Sequence, residues 1–141
     1  MITIESRQNS ALRHLARLGR ERKYRRSTEE MLCEGEKMLE EALRSGAQPG
    51  VLLVRERARD SLPDGLLKRA AQVGAALYCA PDALFELASD VETPQNVIFS
   101  CKQPHWTADA LDGKAQVLLL DGLQDPGNLG TILRTAEAFA L

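Results

Sequence analysis

The sequence predicts an α/β layered fold, and three observations carry that prediction. From residue 31 onward short apolar runs alternate with amphipathic stretches, and turn residues punctuate the boundaries. The run Val51-Leu52-Leu53-Val54 is continuously apolar, as in a strand covered on both faces. The composition agrees: 141 residues with 44% hydrophobic and 27% charged side chains can bury a core, and 10 Gly with 6 Pro give no fibrous or disordered bias.

In chain order, Leu12, Leu15 and Ala16 recur at i, i+3, i+4 and predict a helix capped by Asn9 or Ser10, with Gly19 marking its end or a bend. Met31-Leu32-Cys33 reads as a strand closing at Glu34-Gly35. A helix over 36–44 comes next, with Met38, Leu39, Ala42 and Leu43 inward and Gly46 as its stop. After the strand 51–54, Leu62-Pro63-Asp64-Gly65 opens a helix to about Val73, and Ala76-Leu77-Tyr78-Cys79 is the third strand. Pro81 and Asp82 start a short helix with Leu84, Phe85 and Leu87 inward, a loop runs over 89–95, and 96–101 is the fourth strand.

Lys102-Gln103-Pro104-His105-Trp106 breaks the pattern, so residues 1–104 are expected to form one domain and 105–141 a linker and an unfinished second one. In the latter, 115–120 (A-Q-V-L-L-L) reads as a buried parallel-type strand. The turn Asp125-Pro126-Gly127, with Gly127 able to take positive φ, leads to Asn128 as the cap of a helix from Leu129. Leu129, Ile132, Leu133, Ala136 and Phe139 form its expected buried stripe, and Arg134 lies opposite, between Thr131 and Glu137.

Several function classes are excluded or disfavoured. Three cysteines, Cys33, Cys79 and Cys101, lack any C-x-x-C pair and have two histidines beside them, which argues against a zinc site or a disulfide framework; no metal is expected. No apolar run approaches the roughly 18 residues of a membrane span, and the N-terminus lacks a signal-peptide core, so the expected location is the cytoplasm, away from membranes. Glycines 122, 127 and 130 do not fit G-x-G-x-x-G, and there is no G-K-[ST], which disfavours a dinucleotide or P-loop enzyme.

The net charge of −2 conceals an asymmetry. Residues 1–26 hold eight of the 18 basic side chains against Glu5 and Glu21, a net +6, and the remaining 115 residues sum to −8. Arg13, Arg17 and Arg20 repeat at i, i+4, i+7 on a face away from the leucines, an arrangement that repels itself unless an anion lies against it. Arginines interleaved with Tyr24 match the chemistry of nucleic acid, clamping phosphates and stacking on a base. The candidate RNA-binding residues are Arg7, Asn9, Arg13, Arg17, Arg20, Lys23, Arg25 and Arg26.

For the run after residue 120, spacing leaves two readings open, a structural turn with Arg134 ion-paired to Glu137 and a functional site of the kind α/β proteins place after a strand. The run L-L-L-D-G-L-Q-D-P-G-N-L-G-T-I-L-R-T-A-E-A-F resembles the first motif of the SpoU branch of SPOUT methyltransferases. Ile4-Glu5-Ser6-Arg7-Gln8-Asn9, R-K-Y-R at 22–25, L-x-E-G-E-K at 32–37 and E-T-P-Q at 92–95 resemble the substrate-binding domain of that family, so the resemblance covers nearly the whole chain. It implies an L30e-like α/β/α sandwich followed by the first strand-helix unit of a trefoil-knot domain.

The resemblance further implies an enzyme that transfers methyl from S-adenosylmethionine to a ribose 2′-hydroxyl of rRNA or tRNA. Arg134 would be its catalytic arginine, lowering the pKa of the hydroxyl, with Asn128 and Glu137 orienting the site. The downstream motifs that bind the cofactor are absent from these 141 residues, so no residue here is expected to bind it and the chain alone is expected to be inactive. A homodimer is implied for the full-length protein. Two departures stand out: Asn96 where the family commonly has Gly, and Ala138-Phe139-Ala140 where it reads A-F-G. The alternative reading is a stand-alone, non-catalytic L30e-like RNA-binding module.

Overall fold

The computed structural model describes residues 1–63, 65–89, 91, 94–114 and 116–140. They divide into two compact units, Met1–Gln103 and Pro104–Leu141.

In the first unit the strands are β1 (Ile2–Thr3), β2 (Glu30–Glu34), β3 (Pro49–Arg55), β4 (Ala76–Ala80) and β5 (Val97–Lys102). The helices are α1 (Ser10–Arg20), α2 (Arg22–Thr28), α3 (Glu36–Arg44), α4 (Leu66–Gln72) and α5 (Asp82–Phe85), with 3₁₀ turns over Glu56–Ser61 and Glu86–Ala88. The sheet order is β1-β4-β3-β5-β2, parallel for β1·β4 and β3·β4 and antiparallel for β3·β5 and β2·β5.

Strand β3 is central because its residues have no solvent-facing side to lose: Leu52, Leu53 and Val54 are completely buried. Side chains alternate across a strand, so Leu52 and Val54 pack with Leu39 of α3 and Leu66 and Ala70 of α4. Leu53 points the other way, into Ile4, Leu12, Leu15, Phe85 and Ala88. Helices therefore cover both faces, with α1 and α5 on one and α3 and α4 on the other.

The elements read from the sequence recur within a residue or two, with informative differences. Strand β1 has no counterpart among the sequence-based elements, since two residues carry no periodicity; the Ile4 N–H bonds the Cys79 carbonyl at 2.8 Å and extends the pairing with β4. Met38, expected inward, is 51% exposed. Leu39 takes the buried seat, and neighbouring helix positions lie about 100° apart. Strand β3 runs one residue past the apolar run to Arg55, whose guanidinium is 3% exposed, 3.1 Å from Asp82, 3.5 Å from Glu86 and 4.6 Å above the Phe85 ring. Gly35, between β2 and α3, takes φ 105, a conformation closed to side-chain-bearing residues. Asn96 does not use the left-handed region, which among the described non-glycine residues only Glu29 and Ala140 occupy.

The second unit departs further. Residues 116–120, expected as a buried strand, form no strand, and Leu119 is 87% exposed; Ala115 lies outside the described residues. A strand needs a hydrogen-bonding neighbour, and among the described residues this unit contains a 3₁₀ turn (Ala108–Leu111) and one helix, α6 (Pro126–Ala138), only. For the same reason the expected buried stripe of α6 is not buried: Leu129 and Leu133 are exposed, Phe139 is 74% exposed, and Ile132 and Ala136 are half-buried.

Burial, with the nearby Cys101 adding to it, pushes the Cys33 thiol up to about 11. A raised folded value means that its contribution to stability is intact below the ordinary thiol range and is lost as pH rises through about 11. At pH 8 iodoacetamide should therefore modify Cys33 roughly 100-fold more slowly than a free thiol, read by mass spectrometry. Leu53→Ala should lower the unfolding free energy by about 2–5 kcal/mol in urea titration, whereas Met38→Ala should change it by less than about 0.5 kcal/mol.

Candidate nucleic-acid interface and motif helix

Helix α1 starts where the Asn9 carboxamide oxygen accepts from the N–H groups of Ala11 (2.9 Å) and Leu12 (3.3 Å). Its buried face is Ala11, Leu12, Leu15 and Leu18, which leaves Arg13, Arg17 and Arg20 on the exposed side. The chain leaves the helix at Glu21 (φ −108, ψ 100), two residues beyond Gly19, and restarts as α2.

Helix α2 has no buried residue and no side-chain cap, so polar contacts hold it in place. His14 is the hub: its Nδ1 shares a 2.9 Å hydrogen bond with the Tyr24 hydroxyl, and its Nε2 lies 2.9 Å from the Glu30 carboxylate. The Arg17 guanidinium lies 3.8 Å over the Tyr24 ring and donates to both carboxylate oxygens of Glu21, at 3.0 and 2.9 Å. That hydrogen bonding holds Glu21 below the usual carboxylate range and Arg17 above the usual arginine value. The Nη1 group of Arg25 donates to the carbonyls of Leu18 and Gly19, both at 2.8 Å, capping the end of α1 with a cation.

These contacts sort the basic residues. Arg17 and Arg25 are engaged within the fold, Arg20 donates to the Leu87 carbonyl at 3.2 Å, and Asn9 is used as the helix cap. Arg7, Arg13, Lys23 and Arg26 are on the exposed side and form no ion pair with a described residue. Arg22, counted in the charge asymmetry but not nominated as a contact, is equally exposed and unpaired among the described residues. The signal that could have found it is its place in the R-K-Y-R run with Lys23 and Arg25.

Helix α6 begins three residues earlier than expected, and its cap is Asp125, not Asn128. The Asp125 carboxylate accepts from the Gly127 N–H at 2.6 Å and the Asn128 N–H at 3.1 Å, with Pro126 at the first helical position, where its missing N–H is harmless. Gly127 is accordingly helical and does not take positive φ. The correction leaves the Asn128 side chain unused by the cap. Arg134 donates to the Thr131 hydroxyl at 3.4 Å and makes no ion pair with Glu137. Its Nη1 lies 3.3 Å from where a Cβ on Gly130 would sit, so the bare glycine gives the guanidinium room to fold along the helix. Of E-T-P-Q, Glu92 and Thr93 lie outside the described residues.

The MRM3-like substrate binding domain family matches residues 9–98. The chain belongs to that family. The chain is 36% identical, over all 141 residues and 52% of the relative, to the 23S rRNA (guanosine(2553)-2'-O)-methyltransferase RlmP of Bacillus subtilis. An AdoMet-bound rRNA methyltransferase from Sinorhizobium meliloti shares the fold over 96% of this chain and 50% of that one, with a TM-score of 0.70 at 22% identity. The SpoU methyltransferase AviRb from Streptomyces viridochromogenes, in complex with AdoMet, does so over 92% of this chain and 48% of its own, at 0.67 and 22%. The chain spans about half the length of the curated relatives it matches.

If polar contacts alone dock α2 in this MRM3-like domain, Tyr24→Phe should speed amide hydrogen exchange over residues 22–28 about fivefold, the equivalent of roughly 1 kcal/mol. Tyr24→Ala should speed it further while leaving exchange at Leu15 and Leu53 unchanged.

Proposed function

We propose that this chain is the RNA-gripping domain and the opening catalytic motif of an rRNA ribose 2′-O-methyltransferase that uses S-adenosylmethionine. The observation that carries the reading is the 36% identity to RlmP along all 141 residues, which takes in the basic helix pair and the Arg134 helix together. In this reading the first unit is the L30e-like substrate-binding domain and the second begins a trefoil-knot domain. The full-length protein works as a homodimer.

Arg7, Arg13, Arg22, Lys23 and Arg26 contact RNA phosphates, because exposed cations without an ion-pair partner among the described residues gain most from an external anion. Arg17, Arg20 and Arg25 contribute by fixing the two helices that present those cations, and Asn9 by starting the first of them.

In the second unit Arg134 acts as a fixed cation. A guanidinium does not give up its proton near neutral pH, so it does not serve as a base; beside a ribose 2′-hydroxyl it stabilises the developing alkoxide and grips the neighbouring phosphate. The Asn128 carboxamide, free of capping duty, and Glu137, one turn beyond Arg134, orient the nucleotide. The methyl donor supplies the electrophilic methyl group when bound. The described residues of this chain do not fit it, since 116–120 and α6 are exposed and form no cradle, and the donor is held by residues of the full-length protein beyond those described.

In the full-length protein, Arg134→Ala should lower methyl transfer to RNA by about 10²-fold or more, with a much smaller loss of RNA affinity from its one phosphate contact; full activity in that variant would refute the catalytic assignment. Arg13, Arg22, Lys23 and Arg26 replaced together by Gln should flatten the plot of log affinity against log salt by about 3 units, at about 0.7 per phosphate contact. An unchanged slope would remove the phosphate contacts from these helices.

A further inference from the structure

The L-x-E-G-E-K run, whose role the methyl-transfer reading leaves open, forms the wall of a groove. A depression of about 700 Å³ lies between the end of α1, helix α2 and strand β2, lined by Leu18, Arg25, Met31, Leu32, Glu34 and Gln95 among others. A second, of about 450 Å³, shares Glu34 and Gln95 with it and continues to Lys37 and Met38. The exposed Met38, misplaced in the core by its sequence pattern, is thus part of this surface. Gln95 lies beside Gly35, its Cγ 3.6 Å from where a Cβ would sit, an ordinary contact, so that the φ of 105 and not the space is what requires the glycine.

Glu34 is the unusual group. The Ser89 hydroxyl donates to its Oε1 at 2.7 Å, while its Oε2 is buried and has no hydrogen-bond partner among the described residues. A carboxylate oxygen withdrawn from water without a donor is unfavourable, and a ligand that brings N–H groups relieves it. The groove is apolar along Met31 and Leu32, carries a second acid at Glu36 in its smaller part, is flanked by cations at Arg25 and Lys37, and is within the size range of small-ligand sites. Apolar walls, a carboxylate in need of donors and cations at both ends match one unit of RNA: a flat base between two phosphates. Sequence-specific RNA recognition acts on such unstacked bases.

We propose that this groove receives one unstacked guanine of the RNA and that Glu34 is the residue that reads it. The assignment rests on the RNA-binding reading above. Among the four bases guanine alone offers two adjacent N–H donors on its pairing edge, N1–H and N2–H, which a carboxylate accepts together. Adenine and cytosine set an amino donor beside a ring acceptor that repels the second oxygen, and uracil sets one N–H between two carbonyls. Glu34 turns from Ser89 toward the base as it binds. Gln95 lies along the rim; Lys37 faces one flanking phosphate, and Arg25, whose Nη1 stays on the Leu18 and Gly19 carbonyls, turns its remaining N–H groups to the other.

The test titrates the whole chain with 5′-GMP, 5′-AMP and 5′-UMP, followed by NMR, and with a single-stranded U-octamer carrying or lacking one central G. The expected result is at least tenfold tighter binding of GMP than of AMP or UMP, with shifts at Leu32, Glu34 and Gln95. Glu34→Gln should abolish the preference, and Gln95→Ala, at an exposed position, should weaken GMP binding several-fold in a protein of unchanged fold. Equal affinities for the three nucleotides, or a guanine preference that survives both substitutions, overturns the groove assignment. If salt-dependent octamer binding persists in that case, the RNA reading stands by itself; if no octamer binds, both fall.

Discussion

The burial of strand β3 on both faces is the constraint on which the first unit depends. Leu52 and Val54 serve one core and Leu53 the other, so a single strand of seven residues fixes which helices lie on which side. Helix α1 must then bring Leu12 and Leu15 down onto the Leu53 face, and with the leucines committed inward its arginines have only the outside left. The basic surface is in this sense a product of core packing. It would move with any slip in strand register, because a slip of one residue exchanges the two faces.

Much of this was legible in the sequence. The strands β2 to β5 came from short apolar runs bounded by turn residues, and the helices α1, α3 and α4 from period-3.6 patterns that a buried core enforces. The features that stayed hidden lack such a pattern. Two-residue β1 is too short to repeat, the helix that restarts after Glu21 has no apolar stripe to mark it although an end or bend was expected at Gly19, and the buried Arg55 resembles a strand end until Asp82 and Glu86, brought by the fold, are seen to meet it. The strand and stripe expected after residue 114 failed for the opposite reason. Their patterns are of the kind that a sheet and a second layer would bury, and the described residues of that unit provide neither.

The candidate site was legible as chemistry more than as geometry. Counting charges located the basic segment, but arginines identical in sequence divide into those tied to Glu21, Leu18, Gly19 and Leu87 and those left facing out. That division depends on where the chain bends. Likewise, aspartate and asparagine are equally good helix caps, and Pro126 decides between them by preferring the first helical position, which makes Asp125 the cap and releases Asn128.

The polar docking of α2 has a bearing on how salt acts on this protein. A helix seated on apolar side chains is indifferent to ionic strength, whereas α2 is attached through the Tyr24 hydroxyl on His14, the Arg17 guanidinium over the Tyr24 ring and the Arg25 guanidinium on the Leu18 and Gly19 carbonyls, two of them contacts of a cation. Added salt therefore weakens the seating of the helix that carries three of the exposed cations. In the proposed RNA complex the same salt also weakens the attraction between those cations and the RNA backbone, so the two effects are thermodynamically linked and the proposed grip tightens cooperatively as ionic strength falls.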